Sequence, residues 1–284
     1  MKRILIPLLC LAASVTQAQD YQRIVSAGGD LTEIIVALGA GDRLIGVDST
    51  SSFPAEMQEK PQIGYVRALS AEGLLSLTPD LLIGAHDTGP ETVLDQLRAT
   101  GLEVAIAPDG SDAESVAEKT IFVGEVLGLE AEASTLVTAY RAEMAKVAEA
   151  VAALDRAPRV LFILSIRDGA PLVGGQATSA DEMIRLAGGQ NAAAGIEGYK
   201  PMNREAIIAA APDVILMTDA HADRLGGLDD VLTRPEIALT PAGRDKAGVL
   251  MPAMLLLGMG PRTAEGVRQL ARALHPDQAA QIGQ

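Results

Sequence analysis

The sequence has no tryptophan, three phenylalanines, four tyrosines, three histidines and one cysteine in 284 residues. These shortages exclude a good deal. The one cysteine, Cys10, sits in the apolar amino-terminal segment behind Leu9, where a lipoprotein signal needs a small residue, so neither a disulfide nor a lipid anchor is expected in the mature chain. No Gly-x-Ser-x-Gly elbow, His-Glu-x-x-His helix or cysteine nucleophile is present, so a secreted enzyme has little support and the chain reads as a non-enzyme. Cations are outnumbered, with 23 Lys and Arg against 37 Asp and Glu and a formal charge of −14. That balance speaks against nucleic acid as a partner, because phosphate binding needs a basic face. An anionic ligand would need local arginines to offset the repulsion.

Lys2 and Arg3 precede an apolar run from Ile4 to Val15, and the small Ala18 precedes the polar Gln19-Asp20. This is the layout of a secretory signal peptide, and the run is too short to span a bilayer. Cleavage after Ala18 is expected, with export to the periplasm. No later stretch is an uninterrupted apolar segment of membrane length.

From Arg23 onward, short apolar runs alternate with amphipathic stretches, as in a parallel sheet covered by helices. Strands are expected at Ile24–Ser26, Leu44–Val47, Leu81–Ile83, Val104–Ile106, Val160–Leu164 and Val214–Met217, with a helix over Asp30–Leu38. The Ala-rich, charge-studded run from Glu132 to Leu154 has neither Gly nor Pro and predicts one continuous helix ending near Pro158. The expected fold is two Rossmann-like α/β lobes joined by that helix: residues 1–18 as signal peptide, 19–131 and 156–284 as lobes, and 132–155 between them.

The halves repeat a pattern. Ser70-Ala71-Glu72-Gly73-Leu74-Leu75 followed by Pro79-Asp80-Leu81-Leu82-Ile83 aligns with Asn203-Arg204-Glu205-Ala206-Ile207-Ile208 followed by Pro212-Asp213-Val214-Ile215-Leu216. A Gly-Tyr pair precedes each copy, Gly64-Tyr65 and Gly198-Tyr199. Two such lobes leave a cleft between the carboxyl ends of their strands, where ligands of open sheets bind. Function is therefore expected in the loops carrying Tyr65, His86, Tyr199 and His221.

Arg23-Ile24-Val25-Ser26-Ala27-Gly28-Gly29-Asp30-Leu31-Thr32-Glu33-Ile34 and Gly41-Asp42-Arg43-Leu44-Ile45-Gly46-Val47-Asp48 resemble the opening of the helical-backbone solute-binding proteins for siderophores, cobalamin and haem. Gly64-Tyr65-Val66-Arg67-Ala68-Leu69-Ser70-Ala71-Glu72-Gly73 is similar to the haem-binding branch. Gly198-Tyr199-Lys200-Pro201 and Leu257-Gly258-Met259-Gly260-Pro261-Arg262-Thr263 extend the match over nearly the whole mature chain. The resemblance implies a periplasmic protein that binds ferric haem b and delivers it to an ABC import permease, with an outer-membrane haem receptor as a candidate donor. A ferric siderophore or a cobalamin is the alternative cargo.

In the haem branch the tyrosine of the first motif is the axial iron ligand, which carries over to Tyr65. A phenolate is a hard anionic donor suited to Fe(III). An unperturbed tyrosine ionises near pH ~10, so ligation needs help from the metal and from a nearby positive charge, for which Arg67 is the candidate. Glu72 and Glu205 each fall in the first turn of a helix after a capping Ser70 or Asn203, where the helix dipole favours a carboxylate. The resemblance adds that one glutamate per lobe docks onto permease arginines. His86 and His221 are candidate second iron ligands, and Arg167, Tyr199, Lys200 and Arg224 are candidate haem contacts, the cations through haem propionates. A solvated surface role remains the alternative for each. Met251, Met254 and Met259 read as packing, because thioether suits ferric iron poorly.

Overall fold

Apolar runs bounded by Gly, Pro and Asp form two sheets in the computed structural model, which describes residues 20–167 and 169–283. The expected signal segment, its cleavage site and Cys10 lie outside the described residues. The first lobe holds β1 (Ile24–Ala27), β2 (Leu44–Val47), the short β3 (Gly64–Tyr65) and β4 (Ala68–Leu69), β5 (Leu81–Gly84) and β6 (Glu103–Ile106). Four of these make a parallel sheet in the order β2-β1-β5-β6, while β3 and β4 form a separate antiparallel hairpin. The second lobe holds β7 (Arg159–Arg167), β8 (Ala170–Gly174), β9 (Gln190–Asn191), β10 (Tyr199–Pro201), β11 (Val214–Thr218) and β12 (Gly248–Met251). Its sheet runs β10-β8-β7-β11-β12, with β9 also paired to β7. This sheet is mixed rather than wholly parallel, because β7 folds straight back into β8 and β10 pairs antiparallel with β8.

The helix between the lobes is Glu130–Ala152, about two residues earlier than the sequence pattern suggests. Ala133 belongs to the first lobe's core beside Leu31 and Leu127, whereas Tyr140 and Val147 belong to a second core with Phe162, Leu255 and Leu270. One continuous helix is thus anchored in a different hydrophobic core at each end. None of the described helices is long and apolar enough to cross a membrane.

The sequence repeat is a repeat of hydrogen bonds. Arg23 N donates to Asp80 Oδ1 at 3.0 Å, and Arg159 N donates to Asp213 Oδ2 at 2.8 Å. The amides of Asp80 and Asp213 return bonds to the carbonyls of Arg23 and Arg159. Both guanidinium groups reach back as well, Arg23 Nε to Thr78 O and Arg159 Nε to Ala210 O. Thr78 and Ala211, which precede the matched prolines, share a left-handed φ of 50° and 45°. Ser70 and Asn203 cap the matched helices by accepting from Gly73 N and Ala206 N.

His275 follows the last long helix, Thr263–Leu274, and is 2 % exposed, with no hydrogen-bond partner for either ring nitrogen among the described residues. Burial, reinforced by the charge of Arg156, lowers its pKa; the carbonyl-bearing Ala187 and Gly188 pull the other way without reaching hydrogen-bonding geometry. The unfolded chain therefore takes up this proton first. The neutral ring's contribution is complete above the ordinary histidine value of ~6.5 and is lost as pH falls toward the depressed folded value. His275→Leu should consequently lose less stability than the parent between pH ~7 and ~5 in urea unfolding. Parallel losses in the two proteins would contradict this assignment.

Candidate functional site

In the first sheet β1 and β5 lie side by side, and their onward connections run to opposite neighbours, β2 and β6. Such a switch point opens a crevice at the strands' carboxyl ends. Gly28, Gly29 and Asp30 after β1 and Ala85, His86 and Asp87 after β5 line a cavity of about 380 Å³ between the lobes. Tyr65, Val66 and Arg67 form one wall of it. Leu164, Tyr199, Met254, Leu257 and Met259 enter from the second lobe. The cavity falls within the size range of small-molecule sites.

Tyr65 ends β3 and is 44 % exposed, a large value for one of so few aromatic residues. The loop that carries it is fastened to the loop after β5: Gly89 N donates to Val66 O, and Leu69 N donates to Gly89 O, each at 2.9 Å. Arg67 reinforces this link through Asp87, with Nε 2.5 Å from Oδ2. It therefore sits in the hairpin turn and pairs with a carboxylate. Its guanidinium carbon still lies 6.0 Å from the Tyr65 ring centroid. Burial would lower the Arg67 pKa, but the bond and charge of Asp87, then the Tyr65 and Tyr199 oxygens, hold it above its usual value. One arginine thus stands within electrostatic reach of both repeat tyrosines.

Tyr199 packs edge-on against Phe162, with ring centroids 6.4 Å apart at 69°. His86 Nε2 lies 3.1 Å from Asp109 Oδ1 on the cavity wall. The remaining candidates are not among the residues lining the cavity. His221, in the short helix after β11, has Nδ1 2.8 Å from Thr218 Oγ1, and burial, then Arg224 and Arg167, lowers its pKa. Arg167, Lys200 and Arg224 are exposed and without an ion pair among the described residues. Glu72 and Glu205 are likewise exposed and unpaired, each in the first turn of a repeat helix.

Several site-building residues escaped the motif reading. Asp48, fully buried after β2, accepts from Gly28 N at 3.0 Å, Thr50 N at 3.1 Å, Thr50 Oγ1 at 2.9 Å and Ser51 Oγ at 3.0 Å. It holds the turn in which Gly28 takes φ 130°, and a Cβ on Gly29 would come 2.5 Å from Thr50 O. At the cavity floor, buried Lys119 donates to Asp30 Oδ2 at 2.6 Å and to Met259 O at 2.8 Å. Arg262 grips Glu33 through two hydrogen bonds of 2.9 and 2.6 Å and lies 3.6 Å over the Phe53 ring. Burial raises the Glu33 pKa, and the Arg262 contact only partly offsets that rise. Of these residues, Gly28, Gly29, Asp30, Glu33, Asp48, Met259 and Arg262 lie inside the stretches that carry the family resemblance, and Thr50, Ser51, Phe53 and Lys119 lie outside them.

The profile of the periplasmic binding protein family matches residues 24–254. The chain belongs to the periplasmic binding protein family. It is 41 % identical to the periplasmic haem-binding protein RhuT of Roseiflexus sp. RS-1, over 91 % of this chain and 99 % of that one, with a TM-score of 0.87. It is 38 % identical to the periplasmic haem-binding protein BhuT, whose structure holds two haems, over 92 % and 99 % of the two chains with a TM-score of 0.85. A cobalamin-binding protein of Halobacterium salinarum is 27 % identical over 92 % of this chain and 72 % of its own length. As in any periplasmic binding protein, the described cleft is a site for capturing a solute, and the turn that Asp48 holds forms part of its wall.

Asp48→Ala removes an acceptor that satisfies four donors, two of them buried, Gly28 N and Ser51 Oγ, and two on half-buried Thr50. A loss of about 3 kcal/mol is expected in chemical denaturation, since bonds to charged groups contribute roughly 1.5–3 kcal/mol each and the orphaned donors add their own cost. A loss below about 1 kcal/mol would show that the turn does not depend on it.

Proposed function

We propose that this periplasmic binding protein captures ferric haem in the interlobe cleft, with Tyr65 as iron ligand, and delivers it to an ABC import permease. The observation that carries the reading is the exposed Tyr65 on the cleft wall, on a loop pinned to its neighbour and beside an arginine held charged by Asp87. The phenolate supplies the hard donor that ferric iron favours, and Arg67 supplies positive charge that favours the phenolate. Apolar Val66, Leu164, Met254 and Leu257 suit the faces of a macrocycle. Tyr199 and His86 are the groups best placed for further contact. Arg167, Lys200, Arg224 and His221 would serve an extended cargo or its carboxylates from outside the cavity. The 41 % and 38 % identities to haem-binding proteins support this cargo over cobalamin, for which the relative is 27 % identical. A siderophore, which saturates its own iron, would leave Tyr65 without a task.

Tyr65→Ala should abolish or greatly weaken the tyrosinate-haem visible spectrum. Tyr140→Phe is the control, because Tyr140 is buried on the linking helix with its hydroxyl bonded to Ala113 O. An unchanged spectrum in Tyr65→Ala would remove the central claim.

Delivery rests on Glu72 and Glu205, matched carboxylates on matched helices of the two lobes, which is what a partner with two similar subunits requires. Glu72→Ala/Glu205→Ala protein should bind haem normally and fail to stimulate the ATPase of reconstituted permease. Normal stimulation with a slightly lower melting temperature would leave the glutamates as helix-dipole partners only.

A further inference from the structure

The turn Met259–Arg262 belongs to the family-like stretch near the carboxyl end; Met259 lines the cavity, but capture and docking as described above give Arg262 no task. We propose that Arg262, with Lys119, is a positioning residue that fixes the distance between the two lobes and therefore between Glu72 and Glu205. The inference rests on the docking reading and adds to it what holds the two carboxylates at one spacing.

The argument starts from one helix, Gly29–Ala37, which carries Asp30 and Glu33 one turn apart on the first lobe. Glu33 takes both arms of the Arg262 fork, and Phe53, also from the first lobe, covers the guanidinium from 3.6 Å. A bidentate pair stacked on an aromatic ring fixes direction as well as distance, which a single lysine contact does not. Asp30 fixes Lys119, whose ammonium then binds the carbonyl of Met259. Met259 is 3 % exposed and has a left-handed φ of 47°, a backbone conformation that persists where the surroundings enforce it. Gly260 follows, and a Cβ there would sit 3.5 Å from Glu33 Oε2 and 3.6 Å from Asp30 Cα, so the second lobe's turn is seated directly on the first lobe's helix. The linking helix packs into one core at each end, and the two charge contacts add a second tie between the lobes at the cleft floor.

Ser76 and Ala209 are exposed and occupy equivalent positions in the two repeats, close to Glu72 and Glu205. Cysteines placed there in the mature chain, spin-labelled and measured by pulsed dipolar EPR, read the spacing with no cargo present. The parent should give one narrow distance distribution. Arg262→Met should broaden it, and Arg262→Lys, which keeps the charge without the fork, should broaden it less. The protein concentration for half-maximal stimulation of permease ATPase should rise in the same order, roughly fivefold or more for Arg262→Met. A narrow distribution in folded Arg262→Met protein overturns the proposal, as does a broad one that leaves the half-maximal concentration unchanged while Glu72→Ala/Glu205→Ala still abolishes stimulation. Normal stimulation by the glutamate variant overturns the docking reading instead. If Arg262→Met does not fold, Arg262→Lys and Lys119→Met decide the question by the same readings.

Discussion

The helix Gly29–Ala37 begins where β1 ends, and at the floor of the cleft its Glu33 meets Arg262 of the second lobe while its Asp30 holds Lys119 of the first lobe against Met259 O. A carboxylate with little access to water is costly unless a cation and hydrogen bonds compensate it. Asp30 is compensated by Lys119, and Glu33 by Arg262. These demands draw the helix Ala113–Leu127 and the turn Met259–Arg262 to the same place. The cleft floor is built from that meeting. The desolvation cost makes such pairs poor contributors to net stability, although removing one partner and leaving the other buried is costly.

The chain's scarce cations are distributed accordingly. Its formal charge of −14 would repel an anionic cargo, and Arg167, Lys200 and Arg224, exposed and without an ion pair among the described residues, would offer local relief on the second lobe. Arg67 is treated differently, with Asp87 holding it in place beside Tyr65. A counter-ion fixes the direction of the charge at the expense of part of its strength. That trade suits the role proposed for Arg67, favouring the Tyr65 phenolate without occupying the ligand's place.

Much of this architecture was legible in the sequence because it depends on periodicity and local punctuation. The six parallel strands, the linking helix and the matched helix caps all arise from apolar runs and short-range bonds, and each was found within a few residues. Strands β3, β4, β8, β9, β10 and β12 lie outside the sequence-based set: β3, β4, β9 and β10 have only two or three residues, β8 carries Pro171 and pairs by return within the second lobe, and Gly248–Met251 looks the same in sequence as a buried loop or helix end. The tyrosines could be singled out because aromatics are rare here. What sequence could not give was who meets whom across long separations. Asp87 with Arg67, Asp30 with Lys119 and Glu33 with Arg262 are ordinary charged residues until the fold brings them together.

The central claim is the identity of the cargo, and one titration tests it directly. Purified mature protein would be titrated with haemin and, separately, with cyanocobalamin, followed by visible absorption and gel filtration. The account predicts saturable haemin uptake with a ferric high-spin tyrosinate spectrum and no retention of cyanocobalamin. Tight retention of cyanocobalamin, with haemin adding only unsaturable background absorbance, would contradict it.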